Sequence, residues 1–312
     1  MKEIVKELLR HGILVSPEII SKLKKENLDD FIRRYKGKDT LVVCEEKGDE
    51  EIKISVKNFP VKKEIKTEDF IERYNKRFDF LKDILMEKTN AVSINKTRTS
   101  FNEVEVIGMV REKTNTGFVI EDPTDTIEVI MKTEEPIEPG DVLSVLGLAR
   151  ENKFFGKKIT WPDINLINSI KRIENTNLFL ISEKKESIIN DIKTTDVMVE
   201  TKEGMINKRV CALTSNTPNP AWITISKGND EITLLAYKPE RYVNPILYLK
   251  KRHLSPTLKE MIYEDDPHLI KIVPDIFWII SGKNSYQNYK GVTIIESNCA
   301  KVNLNTRDVV FY

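Results

Sequence analysis

The sequence predicts a multidomain α+β protein made of a small helical module, a small β-barrel and an α/β sandwich, in that order along the chain. Three observations predict it. Apolar residues recur at helical spacing over residues 1–35, five short strands separated by Gly and Pro occupy residues 91–172, and segments typical of strands and helices in alternation follow residue 171. A chain of 312 residues is long enough for two or three domains of about 100 to 200 residues.

The composition favours a soluble, cytoplasmic protein without a strong general affinity for nucleic acid. The 50 Lys and Arg residues against 49 Asp and Glu residues give a net charge of +1, so we expect any contact with DNA to be local or shared with a partner. Cys44, Cys211 and Cys299 form no C-x-x-C pair, which argues against zinc and favours a reducing compartment. No apolar run approaches the ~18 residues of a membrane span, so we expect no membrane contact.

Residues 1–66 are expected to form a helical module that ends in a short hairpin and a charged linker. Ser16-Pro17-Glu18 is typical of a helix start, and residues 39–43 and 52–56 alternate as paired strands do. The module could pack on its own chain or dock a partner. Residues 67–90 then predict one connecting helix, whose apolar face comprises Phe70, Ile71, Tyr74, Phe78, Leu81, Ile84 and Leu85.

Residues 91–172 predict an OB-type barrel. The segments 117–121 and 126–131 form a hairpin across a polar Asp-Pro-Thr-Asp turn, and further strands occupy 104–110, 141–149 and 154–159. Barrels of this type bind single strands where aromatic rings stack on bases beside basic residues. The candidates here are Phe118, Lys153, Phe154, Phe155, Lys157 and Lys158. Because most Phe residues of a small barrel lie in its core, a structural role for the rings is favoured over DNA binding.

Residues 272–296, IVPDIFWIISGKNSYQNYKGVTIIE, predict two buried strands around a polar turn at 281–288. The turn follows the carboxyl end of a buried strand, where open α/β sheets usually place their binding or catalytic sites. The stretch resembles the last motif of the calcineurin-like phosphoesterases, and more closely that of the small subunit of archaeal D-family DNA polymerases. That family has Pro-Asp-Ile-Phe, a Gly-His-x-His turn and Tyr-Arg-Gly-Val, where this chain has Pro274 to Phe277, a turn without histidine, and Tyr289 to Val292.

Two further segments carry the same resemblance. The helix before the barrel, EDFIERYNKRFDFLKDILMEK followed by AVSINK, is similar to the family's segment at that place. The run Lys251-Arg252-His253-Leu254-Ser255-Pro256 is similar to the family's Lys-Arg-Arg-His-Leu-Ala-Pro. The resemblance covers the chain from about residue 69 to its last residue.

The family's metal-ligand motifs are altered throughout. Phosphoesterases of this class use two metal ions, which need carboxylate and neutral imidazole ligands. The resemblance places other residue types at several of these positions, and a protonated lysine there would repel a metal, since it has no lone pair to donate. The positions are Glu183, Lys185, Asn216, Thr217, Lys238, Ser281 and Lys283. We expect no metal, no cofactor and no phosphoesterase activity.

The resemblance implies that residues 173–312 form an inactivated phosphoesterase-like domain. It also implies a non-catalytic small subunit of an archaeal replicative DNA polymerase, which holds the large catalytic subunit and meets DNA through the complex; a sliding clamp is a further candidate partner. Two alternatives remain open. One is an active metal-dependent 3′–5′ exonuclease with ligands rebuilt from Glu183, Asp196, Asp265 or His268, and the other is a single-stranded-DNA-binding protein that uses the barrel alone.

Overall fold

The computed structural model describes residues 8, 32, 52–62, 64–100, 102–167, 169–182, 197–200, 210–212, 219–241, 243–255 and 263–312. The chain divides into two compact units, Met1–Ile52 and Lys53–Tyr312. In the first unit Leu8 and Ile32 are helical and buried, and the rest of the predicted helical module lies outside the described residues. The predicted strand at 52–56 is confirmed as β1 (Ile52–Val56). Its expected hairpin partner at 39–43 lies outside the described part of the chain.

The predicted connecting helix is confirmed as α1 (Thr67–Met86). It starts with Asp69 accepting a hydrogen bond from the backbone N–H of Lys66 at 2.8 Å, which satisfies one of the donors left open at a helix start. Phe78, Leu81 and Leu85 are buried against the barrel. Ile71, predicted on this apolar face, is 57% exposed, and that prediction is wrong. Arg73 and Arg77 are buried in addition to these apolar side chains.

A closed five-stranded barrel lies in the part of the chain where the sequence predicts five short strands. After the short helix α2 (Ile94–Thr97), its strands are β2 (Val104–Lys113), β3 (Gly117–Glu121), β4 (Thr126–Ile130), β5 (Val142–Arg150) and β6 (Lys153–Thr160). They close in the order β2-β3-β4-β6-β5. The β4–β6 pair is parallel and the other pairs are antiparallel. The core holds alternate residues of β2 to β5, as the period of two requires, together with Phe154 and Ile159 of β6, where the register with β5 shifts.

A six-stranded sheet contains the two buried strands that the sequence predicts within residues 272–296. Its remaining strands are β10 (Ala221–Lys227), β11 (Asp230–Tyr237), β12 (Ile276–Ile279), β13 (Ser285–Tyr289) and β14 (Val292–Glu296), in the order β1-β10-β11-β12-β14-β13. Strands β11, β12 and β14 run parallel, so their carboxyl ends meet at one edge. Helix α3 (Pro245–Lys251) follows β11, and the side chain of Asn244 caps its start.

A second, five-stranded sheet is built from β7 (Asn177–Ile181), β8 (Val197–Glu200), β9 (Val210–Ala212), β15 (Cys299–Asn303) and β16 (Val309–Phe311). Its strand order is β16-β15-β7-β8-β9, and β7, β8 and β9 are parallel. The described chain is therefore mixed α/β with few helices, and its strands outside the barrel form two sheets.

The predicted polar turn at 281–288 is only partly correct. Residues 285–289 form β13, which pairs antiparallel with β14 at the edge of the six-stranded sheet. A tight turn makes this hairpin possible, because Lys290 and Gly291 both have positive φ values, 50° and 95°. Two successive residues with positive φ match the twist of the strands that they connect. The turn that was predicted from polarity is therefore shorter than expected and lies between the end of β12 at Ile279 and the start of β13 at Ser285.

Candidate functional sites

The positions that the sequence resemblance assigns to metal ligands gather at one edge of the six-stranded sheet, as far as the structure describes them. Lys238 follows β11 directly, and Ser281 and Lys283 follow β12. Tyr237 pairs with Ile279 in the register of these two parallel strands, so the segments after them leave the sheet side by side. Glu183, Lys185, Asn216 and Thr217 lie outside the described residues, and their placement stays a prediction.

The two described lysines at this edge differ from metal ligands in chemistry and in exposure. The side chains of Lys238 and Lys283 are exposed. Asn219 holds the backbone of Lys238 through two hydrogen bonds, one accepted from its N–H at 2.9 Å and one donated to its carbonyl at 2.7 Å. In the described part of the chain, no group of three or more His, Cys, Asp or Glu side chains is arranged to hold a metal ion.

Glu296 is an acidic residue at the same edge that the sequence analysis did not single out. It ends β14 opposite Ile279 and is 4% exposed. The hydroxyl of Ser285 donates to one of its carboxylate oxygens at 2.6 Å, and the other oxygen has no hydrogen-bond partner among the residues that the structure describes. The signal that could have found it is a single charged residue at the end of the buried run Val292-Thr293-Ile294-Ile295.

Two of the residues proposed as rebuilt metal ligands, Asp265 and His268, are described by the structure, and both contact other protein side chains. Asp265 accepts hydrogen bonds from Lys57 at 3.0 Å and from Lys271 at 2.5 Å. His268 is buried beside Asp266, with its Nδ1 atom 3.6 Å from the carboxylate. Asp196 lies outside the described residues.

The basic run that carries the family resemblance points inward, at the end of α3. The ammonium of Lys251 donates to Asp141 at 2.6 Å, and the two side chains are only 7% and 1% exposed. Lys250 donates to Glu135 at 2.7 Å. Both acids belong to the segment before β5, so the two lysines tie α3 to the barrel. Burial raises the pKa of Asp141 to about 6, although the charge of Lys251 opposes that shift.

The next two residues of the run are also engaged inside the molecule. Arg252 ends α3 in the left-handed conformation, with φ of 56°, and donates to the carbonyl of Lys271 at 3.1 Å. Burial lowers the pKa of its guanidinium to about 10. His253 is 3% exposed, and its backbone N–H bonds to Tyr248. The run therefore offers no basic patch to a ligand.

Asp266 is the centre of a buried charged cluster that joins α1, the end of α3 and the loop 265–268. Its carboxylate lies 3.4 Å from Nε of Arg73, 3.3 Å from Nη2 of Arg77 and 3.5 Å from Nε2 of His253. Burial alone would raise the pKa of Asp266, but the contacts with His253, His268 and Arg73 outweigh it and hold the pKa well below its usual range. Burial also lowers the pKa of His253 to about 3, so this ring is neutral at pH 7.

Asp163 joins the exit of the barrel to the β13–β14 hairpin. It accepts hydrogen bonds from the hydroxyl of Tyr289 at 2.9 Å and from the ammonium of Lys290 at 2.5 Å. Lys88, after α1, donates to the carbonyl of Asp163 at 2.8 Å. Asp275, another residue of the resemblance, is buried and accepts a hydrogen bond from the N–H of Thr233 at 2.8 Å. Four residues from segments that carry the resemblance thus connect elements of the unit Lys53–Tyr312, namely Lys88, Asp275, Tyr289 and Lys290.

Some of the residues predicted to bind nucleic acid lie inside the barrel, and the others lie on its outer surface. Phe118 and Phe154 lie in the barrel core, at 2% and 0% exposure, so neither ring can stack on a base in this conformation. Lys153, Lys157 and Lys158 are exposed, and so is Phe155, at 45%. Lys153 pairs with Glu128 at 3.3 Å, and Lys157 pairs with Glu103.

Comparison with known proteins gives one partial similarity. No protein-family model matches the chain. A curated protein named DNA polymerase II small subunit, from Archaeoglobus fulgidus, is 24% identical over 188 residues. The matched region is 51% of this chain and 38% of the relative, so the chain spans less than two fifths of that protein's length. No helix in the described ranges is long and apolar enough to cross a membrane.

Proposed function

We propose that this chain is the small, non-catalytic subunit of an archaeal DNA polymerase and serves as a scaffold for the large catalytic subunit. The similarity to a DNA polymerase II small subunit supports the polymerase assignment. The observation that carries the scaffold role is the inward engagement of the basic run at Lys250–His253. These contacts tie α3 to the barrel as parts of one platform, and the charges that make them are engaged within the chain.

The domain assignment belongs to the same proposal. The strand order β2-β3-β4-β6-β5, with one parallel pair, supports an OB-type barrel at residues 91–172, since that fold is a five-stranded Greek-key barrel. Two sheets that each contain three adjacent parallel strands support a phosphoesterase-like sandwich at residues 173–312. Residues 1–66 would then be an additional module, and residues 67–90 the connecting helix.

The loss of metal chemistry rests on the residues at the sheet edge. Lys238 stands where the resemblance expects a histidine, and Ser281, Lys283 or Ser285 fills the histidine places of the last turn, depending on the gap chosen. Two unit charges 4 Å apart interact by about 4 kcal/mol at an effective dielectric of 20. Ammonium groups at this edge would therefore oppose a dication strongly. The proposal extends this reasoning to Lys185, where another lysine replaces a histidine of the family.

The test is co-purification with the large polymerase subunit of the same organism, followed by primer extension and single-strand degradation assays with magnesium or manganese. We expect a stable complex that extends primers better than the large subunit alone, without degradation by this chain. Failure to associate would overturn the scaffold role. Metal-dependent degradation by the purified chain would instead favour the exonuclease alternative, and replacing Glu183 and Asp196 would identify its ligands.

A matched pair of variants tests whether the buried joint matters for assembly. Lys251→Met removes the buried partner of Asp141, whereas Lys271→Met removes a lysine whose side chain is 46% exposed. We expect the first variant to weaken co-purification and the second to leave it unchanged, with far-UV circular dichroism used to confirm that both are folded. Equal behaviour of two folded variants would mean that the joint does not shape the docking surface.

A further inference from the structure

The outer face of the barrel carries a row of three apolar side chains on neighbouring strands. Phe155 on β6 pairs in register with Ile130 on β4 and with Leu148 on β5. Residues in direct register project to the same face of a sheet. Phe155 is 45% exposed, and its two neighbours are partly buried. The row therefore forms a small apolar platform with one ring at its centre.

The adjacent register row confirms which way this platform faces. Phe154 pairs with Val129 on β4 and with Ala149 on β5, and these three residues pack in the barrel core. Successive residues of a strand point to opposite faces. Phe155 and its row must then face outward, so the two neighbouring Phe residues of β6 have opposite roles.

Basic residues flank the platform along the same strands. Lys153 lies on the outer face two residues before Phe155 and pairs across the sheet with Arg150, and Lys158 lies three residues after it. Arg150 and Lys158 make no ion pair with any residue that the structure describes. Lys153 and Lys157 do pair with acids, but exposed pairs of this kind contribute only about 0–1 kcal/mol and exchange readily for another anion.

We infer that the Ile130–Phe155–Leu148 row is a binding site for single-stranded nucleic acid. Phe155 stacks on one base, the two aliphatic side chains support the neighbouring base or sugar, and Arg150, Lys153 and Lys158 contact phosphates on both sides of the ring. At about 3.3 Å per strand residue, Lys153 and Lys158 lie about 16 Å apart along β6, which brackets the ring with positive charge. An exposed aromatic ring between cations is the combination that single strands require.

The charge of the flanks favours a nucleic acid over an apolar protein segment as the occupant. A protein contact of this size would be expected to surround its central ring with neutral or mixed residues. Here the charged outward residues of β6 and its neighbour β5 close to the ring are Arg150, Lys153, Lys157 and Lys158, all of them basic, and Glu128 on β4 lies beside Lys153. The site does not depend on the proposed scaffold role, because it needs only the barrel surface.

The test is fluorescence anisotropy of a labelled oligothymidylate titrated with the full chain at low salt. We expect Phe155→Ala to weaken binding by between about 5-fold and 150-fold, which corresponds to the loss of one stacking ring. The matched control is Tyr286→Ala, which removes an aromatic side chain of similar exposure, 48%, from the edge strand β13. That control should bind as the unmodified chain does.

A salt series separates phosphate contacts from stacking. Each phosphate contact adds about 0.7 to the slope of log affinity against log salt for a single strand. Arg150→Ala should lower the slope by about that amount, and Arg241→Ala, at another exposed arginine outside the barrel, should not. No binding by the unmodified chain, or binding that ignores Phe155, would overturn the site. Loss of co-purification with the large subunit in Phe155→Ala, without any effect on oligonucleotide binding, would overturn it in favour of a protein contact.

Discussion

Replacing Asp266 by Asn should be among the most destabilising single changes in this unit. The carboxylate lies within 3.4 Å of Arg73 and 3.3 Å of Arg77, whose side chains are 8% and 3% exposed, and is itself 11% exposed. The amide keeps the shape of the side chain but removes its charge, so each of the two buried guanidinium groups loses one charged partner. Removing one partner of a buried ion pair costs about 3–5 kcal/mol, because the attraction to that partner is lost while the other charge stays buried.

Asp265→Asn is the matched control, one residue earlier in the chain. Asp265 is 38% exposed and pairs with Lys57 and Lys271, which are 52% and 46% exposed. Exposed pairs of this kind are worth about 0–1 kcal/mol, since water and salt screen them. We therefore expect the two neighbouring aspartate variants to differ by about 2–5 kcal/mol in the free energy of unfolding.

The assay is urea-induced unfolding at pH 7, followed by far-UV circular dichroism. Asp266→Asn should lower the midpoint with an unchanged slope, which marks a change of stability and not of the surface exposed on unfolding. An Asp266→Asn protein as stable as Asp265→Asn would refute the reasoning.

Three further predictions follow from buried or strained positions. Since the folded-state pKa of His253 is about 3, below its ordinary 6.5, its contribution to stability is present above pH 6.5 and is lost as the pH falls towards 3; urea midpoints measured across this range should fall, and His253→Gln should flatten the decline. Phe154→Ala should lower the free energy of unfolding by about 3–5 kcal/mol and Phe155→Ala by less than about 1 kcal/mol, and equal losses would contradict the assigned faces. Gly291→Ala should cost about 1–3 kcal/mol, because φ is +95° and a Cβ would lie 2.6 Å from Ile167, whereas Gly282→Ala, with open space around it, should be neutral; calorimetry decides between them.

The sequence predicted those parts of the fold whose signals are local. The strands of the barrel and the buried strands β12 and β14 follow from alternation, β-branched runs and turn residues within a few positions of one another. Strand β13 was missed because Ser-Tyr-Gln-Asn-Tyr is polar enough to pass for a turn, and only its pairing with β14 makes it a strand. The exposure of Ile71 could not be predicted either, since an apolar side chain at the margin of a helix face is buried only if a neighbour covers it.

The candidate site depended more on tertiary information. Phe154 and Phe155 are adjacent in the sequence, and a shift of one residue in the strand register exchanges their faces, so composition alone could not say which ring meets solvent. The basic run was recognised as a pattern, but what its charges bind was not predictable, since Asp141 lies 110 residues from Lys251. A sequence motif identifies residue types, whereas their partners are set by the fold.

Two groups of lysines are therefore expected to have different roles, although both consist of the same residue type. Lys250 and Lys251 are turned into the joint between α3 and the barrel, where their charges are matched by Glu135 and Asp141. The lysines of β6 lie on the surface beside Phe155, where their acidic partners can be displaced. The net charge of +1 averages over both groups and cannot separate them. If the two proposals are correct, Lys251→Met affects association with the large subunit and leaves oligonucleotide binding intact, and Phe155→Ala does the reverse.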